Sequence, residues 1–396
     1  MVYAWDVPDD LTSPPVPVEL DTLLASPDPV PSLDFLARHF IARGEFGLLF
    51  EARLMRTRLD MGLPLVQTES VPDQNYQDAV VEAAREAGRL FLEAGNIDRA
   101  WPYFRAVGDP GPVERAIAAL PASEAGEGTI SIAFQEGAHP LKGLEMILER
   151  HGMCRAITAF GMTAVQKDRA ACIAMLARHL YAEILSRMAY AIEAREGRAP
   201  EEAGLIGRMA DRDWLFGEWD CYVDTSHLIS VVPYCVEITD AAALGIFHEL
   251  CEYGRRLAPQ FQQAGVPPFE DQFTAYGHYV QALLAHSGGG DPEPHLEYFR
   301  NQVAESDPEI AGDAPGRTLA RLLLALNRPG DALRTVLDHV FEDAPYGTPV
   351  PGAIQLCHMA KDFGLMRRLA RERGDLLSYA AAAILAFKEG QPLSSN

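Results

Sequence analysis

QDAVVEAAREAGRLFLEAGNIDRAWPYFRAV (77–107) and RTLARLLLALNRPGDALRTVLDHVF (317–341) decide the fold. In each, apolar residues recur three and four apart, the spacing that lines one face of an α-helix. Gly95-Asn96 in the first and Asn327 to Gly330 in the second interrupt the pattern as a turn does. The two stretches superpose without a gap: Arg89, Leu90, Leu92, Gly95 and Ala100 fall on Arg321, Leu322, Leu324, Asn327 and Ala332. Ala100 and Ala332 follow the turn, where the second helix must come close to the first. DFLARHFIARGEFGLLFEARLMRTRLDMG (34–62) reads the same way, as helix, Gly44 turn, helix.

This helix–turn–helix logic resembles that of tetratricopeptide repeats. The resemblance covers about half the chain and lacks a regular period of about 34 residues. It implies stacked helical hairpins and carries no function of its own. The expected class is therefore all-α: an irregular helical-hairpin, tetratricopeptide-like solenoid with a central helical insert. The expected organisation is a Pro-rich N-terminal arm (1–31), N-terminal helical hairpins (32–125), a central helical region with the candidate site (126–256) and C-terminal helical hairpins (257–396).

The arm holds seven of the 28 prolines: Pro8, Pro14, Pro15, Pro17, Pro27, Pro29 and Pro31. Each fixes φ and removes an amide donor, so the arm reads as an extended strap with no helix beyond a turn or two. GTISIAF (128–134) alternates, with Ile130, Ile132 and Phe134 on one side, and reads as a short edge strand or a buried extended loop. SGGGDPEPH (287–295) reads as a connector.

Composition narrows the function classes. With 396 residues and 48% hydrophobic content, the chain has ample material for a large core or several stacked ones. Its formal charge of −22 repels phosphate backbones, and no basic stripe offsets this. The short Arg367, Arg368, Arg371, Arg373 cluster is mixed with acids and reads as a solvated helix face, so nucleic acid is not an expected partner. The N-terminus, MVYAWDVPDDLTSPP, lacks the basic-then-apolar order of a secretory signal, and no apolar run approaches a membrane span. Six cysteines without CxxC spacing read as reduced thiols, which points to the cytoplasm.

Phosphate-loop, dinucleotide and nucleophile-elbow motifs are all missing. His248-Glu249-Leu250-Cys251-Glu252 begins like a zinc-protease helix but puts Glu where the second histidine belongs. It reads as an exposed helix face.

The candidate chemistry lies in the centre. DRAACIAMLARHLYAEILSRMAYAIEARE (168–196) reads as one long helix, apolar on nearly every face and therefore buried. A polar stripe of Cys172, Leu176, His179, Glu183, Ser186 and Tyr190 runs along it. His179 and Glu183, at i and i+4, leave one face together, a spacing that suits two ligands of one ion or a base with its orienting carboxylate. A plain buried His–Glu tie between helices is the alternative. Upstream, Pro140 suits the first position of a helix that ends near Arg150 with Gly152 as its cap, and a shorter helix follows from about Met153 to Val165. His139 and His151 would lie about 18 Å apart along that helix, too far to share an ion. His151 and Cys154 are thus placed opposite His179, and His139 with Glu136 at the far margin of a cleft. Helix capping or core packing is the alternative for each lone histidine. Downstream, Asp224 and His227 stand at i and i+3, a spacing that recurs with Glu in carboxylate metal sites of helical bundles; Asp224 is equally a natural N-cap. Trp214, Phe216, Trp219 and Tyr222 are dense enough to floor a pocket for a flat or sugar-like ligand, and equally suited to a core.

These residues predict a metal-dependent enzyme of hydrolase, lyase or isomerase type, acting on a small polar, sugar-like substrate. The expected ligands are His151, His179, Asp224 and His227, holding Zn²⁺, Mn²⁺ or Fe²⁺. Glu183, Glu136 and His139 are expected to move protons, and Trp214, Phe216, Trp219, Tyr222 and Cys154 to line the substrate pocket. The alternative is a tetratricopeptide-like interaction scaffold that offers a concave face to a protein partner.

Overall fold

The computed structural model describes residues 16–65, 73–165, 167–262, 269, 271–340 and 349–391. The protein is all-α, and no strand occurs among the described residues. The chain divides into two compact units, Met1–Arg150 and His151–Asn396. The division falls inside the expected central region, beside a break at Gly152.

The first unit contains α1 (Val18–Leu24), α2 (Val30–Arg43), α3 (Phe46–Asp60), α4 (Gln74–Glu93), α5 (Ile97–Ala106), α6 (Gly111–Ala119) and α7 (Glu127–Phe134), then the first leg of α8 (Pro140–Met162). The second holds the remainder of α8, α9 (Arg169–Glu196), α10 (Leu205–Met209), α11 (Thr225–Val231), α12 (Ala241–Arg256), α13 (Pro259–Gln262) and α14 (Gln272–Ser287). It continues through α15 (Glu293–Glu305), α16 (Pro308–Ala311), α17 (Ala314–Ala325), α18 (Pro329–His339), α19 (Ala353–Met359), α20 (Phe363–Glu372) and α21 (Leu376–Lys388).

One turn recurs. Gly95 closes α4 at φ 76°, its amide donating to Leu92 O at 2.9 Å and the Asn96 amide to Phe91 O at 2.8 Å. Asn327 closes α17 at φ 58° with the matching pair, to Leu324 O at 3.0 Å and from Arg328 to Leu323 O at 2.8 Å. Two carbonyls that a helix end leaves open are thereby satisfied, and the chain reverses. Gly44, Lys361 and Gly374 repeat the arrangement after α2, α19 and α20. In all five turns one residue follows at φ −82° to −116° and ψ 57° to 88°, and the next helix begins at once. Ala100 and Ala332 are fully buried just past their turns, where any larger side chain would push the paired helices apart. Successive helices from α2 to α6 pack on one another, as do those from α17 to α21.

The second unit's deepest core lies between α12 and α14, where Phe247, Tyr253, Phe273 and Tyr279 are fully buried. Gly254 permits the approach of these two helices; a Cβ there would stand 2.5 Å from the Phe273 ring.

Two expectations need correction. GTISIAF is no strand: it forms most of α7, with Thr129, Ile130, Ile132, Ala133 and Phe134 all buried. A short helix enclosed on several sides buries neighbours as well as alternate residues, and over seven positions that pattern imitates alternation. The arm is also less extended than expected. Val18–Leu24 is helical, and α2 starts at Val30 with Pro31 in its first turn, where the missing amide costs nothing. Pro8, Pro14 and Pro15 lie outside the described residues.

Candidate metal centre

Two short elements of the second unit build the site. The helix that begins at Pro140 breaks at Gly152 (φ 77°, ψ −176°) and resumes. On the resumed leg Met153, Ala156 and Phe160 point inward, so Cys154, one residue after Met153, faces out. The second element is α11. Asp224 is its N-cap, accepting from the Ser226 amide at 2.9 Å and from Ser226 Oγ at 2.7 Å. Leu228 and Val231 anchor the helix in the core. His227, half-buried, leaves the first turn on the side of Asp224.

Cys154 Sγ and His227 Nε2 are 2.8 Å apart. Cys154, Asp224 and His227 each offer a ligand atom within 4.8 Å of the others, and no other His, Cys, Asp and Glu group of this kind occurs among the described residues. His227 Nδ1 is buried without a hydrogen-bond partner. The roles of the two ring nitrogens depend on the tautomer: a proton on Nε2 points at the sulfur, whereas an ion bound through Nε2 requires the proton on Nδ1. Hydrogen bonds from the Ser226 side chain and amide, with a smaller contribution from His227, hold the Asp224 carboxyl below its usual range. It is therefore an anion at neutral pH.

The donor set fits a first-row ion. Thiolate, imidazole and carboxylate are all zinc ligands, bound at about 2.3, 2.0–2.1 and 2.0–2.2 Å. Around a tetrahedral ion the sulfur and nitrogen stand about 3.5 Å apart, so the Cys154–His227 contact must open slightly to admit one. Three protein ligands at a partly exposed position leave a place for a water or substrate atom.

The other expected site residues lie elsewhere. His179 is exposed, and the carboxylate of half-buried Glu183 pairs with Arg187, one turn on, at 2.5 Å. The stripe is buried only at its start: α9 buries Cys172 and Leu176 together with Ile173, Ala177, Leu180, Ile184, Met188 and Ile192, while His179, Ser186 and Tyr190 are exposed and Glu183 is half-buried. Alanines such as Ala171, Ala182 and Ala194 made the exposed face look apolar, yet alanine favours a helix whether or not it is covered. His151 is exposed, at the Gly152 break, and is not in the cluster. Glu136 and His139 belong to the first unit. Glu136 accepts from Trp101 Nε1 at 2.7 Å and pairs with Arg105 at 2.5 Å. His139 caps α8, with Nδ1 3.4 Å from the Lys142 amide.

The aromatic group is largely spent on packing. Trp214 lies under Arg195 at 4.5 Å and Phe216 under Arg256 at 4.8 Å. Tyr222 donates its hydroxyl to Leu215 O at 3.1 Å, and burial pushes its pKa up to about 12. Trp219 alone of the four is exposed. In the HELCE stretch, Glu249 accepts from Tyr181 Oη and from the Leu205 and Ile206 amides, so it ties α12 to α9 and α10.

Two features had no signal in the sequence. His278 and His295 bring their Nδ1 atoms to 2.9 Å, and His278 stacks on Tyr298 with ring centroids 4.1 Å apart. Burial lowers both histidine pKa values; that of His278 is lowered further by His295 and Arg255. A groove of about 290 Å³ lies along α15, α17 and α18, lined by Arg300, Leu319, Leu323, Arg328, Asp331 and Thr335, and none of the metal-centre residues reaches it. Comparison with protein-family models, characterised proteins and solved structures finds no match to this chain.

Proposed function

We propose that Cys154, Asp224 and His227 hold a divalent metal ion, and that the protein is a metal-dependent enzyme acting on a small polar substrate by hydrolysis, dehydration or isomerisation. The observation that carries this reading is the convergence of a sulfur, a carboxylate and an imidazole within 4.8 Å on two separate elements. The thiolate favours Zn²⁺ over Mn²⁺ and Fe²⁺. A bound ion would polarise a carbonyl or lower the pKa of a coordinated water. The chain's own contribution is to orient the ligands: the Ser226 amide and hydroxyl fix Asp224, and packing of Leu228 and Val231 fixes the pitch of His227. Six unpaired thiols support a reducing compartment, the cytoplasm. The five matching turns support a tetratricopeptide-like stacking of hairpins within each unit.

The test is Co²⁺ binding, followed by the sulfur-to-cobalt charge-transfer band. Purified protein is expected to take up one Co²⁺ with that band, and Cys154→Ala to lose it. Binding without the band, or a band that survives Cys154→Ala, refutes the assignment. The 2.8 Å sulfur–nitrogen contact favours a second reading, in which His227 activates Cys154 as a nucleophile. That reading predicts rapid alkylation of Cys154 in metal-free protein, slowed by His227→Ala, with no Co²⁺ uptake.

A further inference from the structure

The last described helix, α21, exposes an apolar seam. Leu377, Ala380, Ile384 and Phe387 follow one another at intervals of three, four and three and all face solvent. Exposure reaches 85% at Leu377, 56% at Ile384 and 82% at Phe387, with Leu376 beside them at 79%. The opposite face buries Ala382 and Ala386 and packs on α20. No charged residue occurs from Leu376 to Phe387, in a chain where 23% of residues are charged. An exposed helix face normally carries its charges there.

We infer that this face pairs with a second copy of itself, α21 against α21 in antiparallel register, joining two chains into a dimer. The argument is the seam's own symmetry. Intervals of three, four and three read the same in both directions, so a twofold axis passing beside Ala382 sets Leu377 against the partner's Phe387 and Ala380 against the partner's Ile384. The inner layers then join small Ala380 to Ile384, and the outer layers join Leu377 to Phe387. The positions flanking the seam at its middle are Ala381 and Ala383, which let two helices approach closely. Fully covered, Leu377, Ile384 and Phe387 of the seam together with the neighbouring Leu376 remove on the order of 600 Å² per copy, or about 1,200 Å² in all, which is the lower edge of a stable interface. Charges stand only at the two ends of the seam, Asp375 before it and Lys388 after it, so apolar contact carries the association and salt should change it little. This inference is independent of the metal centre.

Sedimentation equilibrium of the full chain tests it. Wild-type protein is expected to be dimeric at ~10 μM in both 50 mM and 500 mM NaCl, and Ile384→Lys and Phe387→Glu to be monomeric with unchanged circular dichroism. A dimer that persists in both variants overturns the inference, as does a wild-type monomer at 100 μM, which would mean that the seam is covered by the chain itself or by a different protein. The register is read separately with Leu377→Cys and Phe387→Cys. A mixture of the two single variants should cross-link between chains at these positions, mapped by peptide analysis, whereas either alone should not. Self-linking of one variant alone overturns the antiparallel arrangement.

Discussion

The α4/α5 and α17/α18 hairpins and the stretch from Gly152 to Glu237 obey different rules. In the hairpins a left-handed Gly or Asn ends one helix, a single residue bridges, and the next helix starts; all the information sits within about 30 residues. In the other region, Cys154 meets His227 across 73 positions of sequence through two short elements, one started by the Gly152 break and the other by the Asp224 cap. The regular parts spend their polar groups on turns and caps. The irregular part brings to the Asp224 cap a thiol and an imidazole that local structure does not need, which is where chemistry is expected to gather.

The sharpest way to test this contrast is to truncate each region. Leu322→Ala, at a fully buried position of α17, is expected to destabilise the protein by about 2–5 kcal/mol, the cost of a lost core side chain with its cavity. Cys154→Ser, at an exposed position, should stay within about 0.5 kcal/mol in the absence of metal. Urea unfolding of both variants measures the gap, and equal losses would erase the distinction. The turns come next in size. Gly95→Ala forces a side chain into left-handed backbone and should cost roughly 1–2 kcal/mol, whereas Asn327→Gly should be neutral or slightly stabilising. If both changes have the same sign, the two turns are not equivalent.

Asp224 belongs to both worlds, as cap and as ligand, and two substitutions separate the roles. Asp224→Ala should lose about 1 kcal/mol of stability together with metal affinity. Asp224→Asn keeps the cap and should lose metal affinity alone. Calorimetric titration with Zn²⁺, run beside thermal melts, reads the two losses independently; unchanged Zn²⁺ affinity in Asp224→Asn would reduce Asp224 to a cap.

The smallest expected effect lies outside both regions, at His278 and His295. Burial lowers both pKa values, so the folded protein binds fewer protons than the unfolded chain. Stability should therefore fall as pH drops through the ordinary histidine value of about 6.5. The lowered carboxyl of Asp224 acts in the same direction, but only below the ordinary Asp range near 3.9. The Tm of wild type should decrease between pH 7.5 and 5.5, and His278→Phe, which keeps the stack on Tyr298, should flatten that dependence. An unaltered slope would assign the pH response to other groups.

Much of the local structure is legible in the sequence alone. The 3.6-residue periodicity of 77–107 and 317–341 and the left-handed residues that end their first helices identified the helices and hairpins, because both signals are local. Pro140 and Gly152 marked the ends of the first α8 leg for the same reason. GTISIAF imitates a strand because seven residues are too few to distinguish two periods when a segment is enclosed on several sides. The exposure of His179 is hidden in the sequence because alanine is equally at home on either face of a helix. Asp224 and His227 stood out because their i, i+3 spacing is a property of α11 alone, and the Asp224 cap was equally readable. That Cys154 completes a cluster with them, that Glu136 is held by Trp101 and Arg105, and that His278 meets His295 could be decided only by tertiary packing. Each depends on which faces of separate helices meet, and helix periodicity constrains a face without naming its partner.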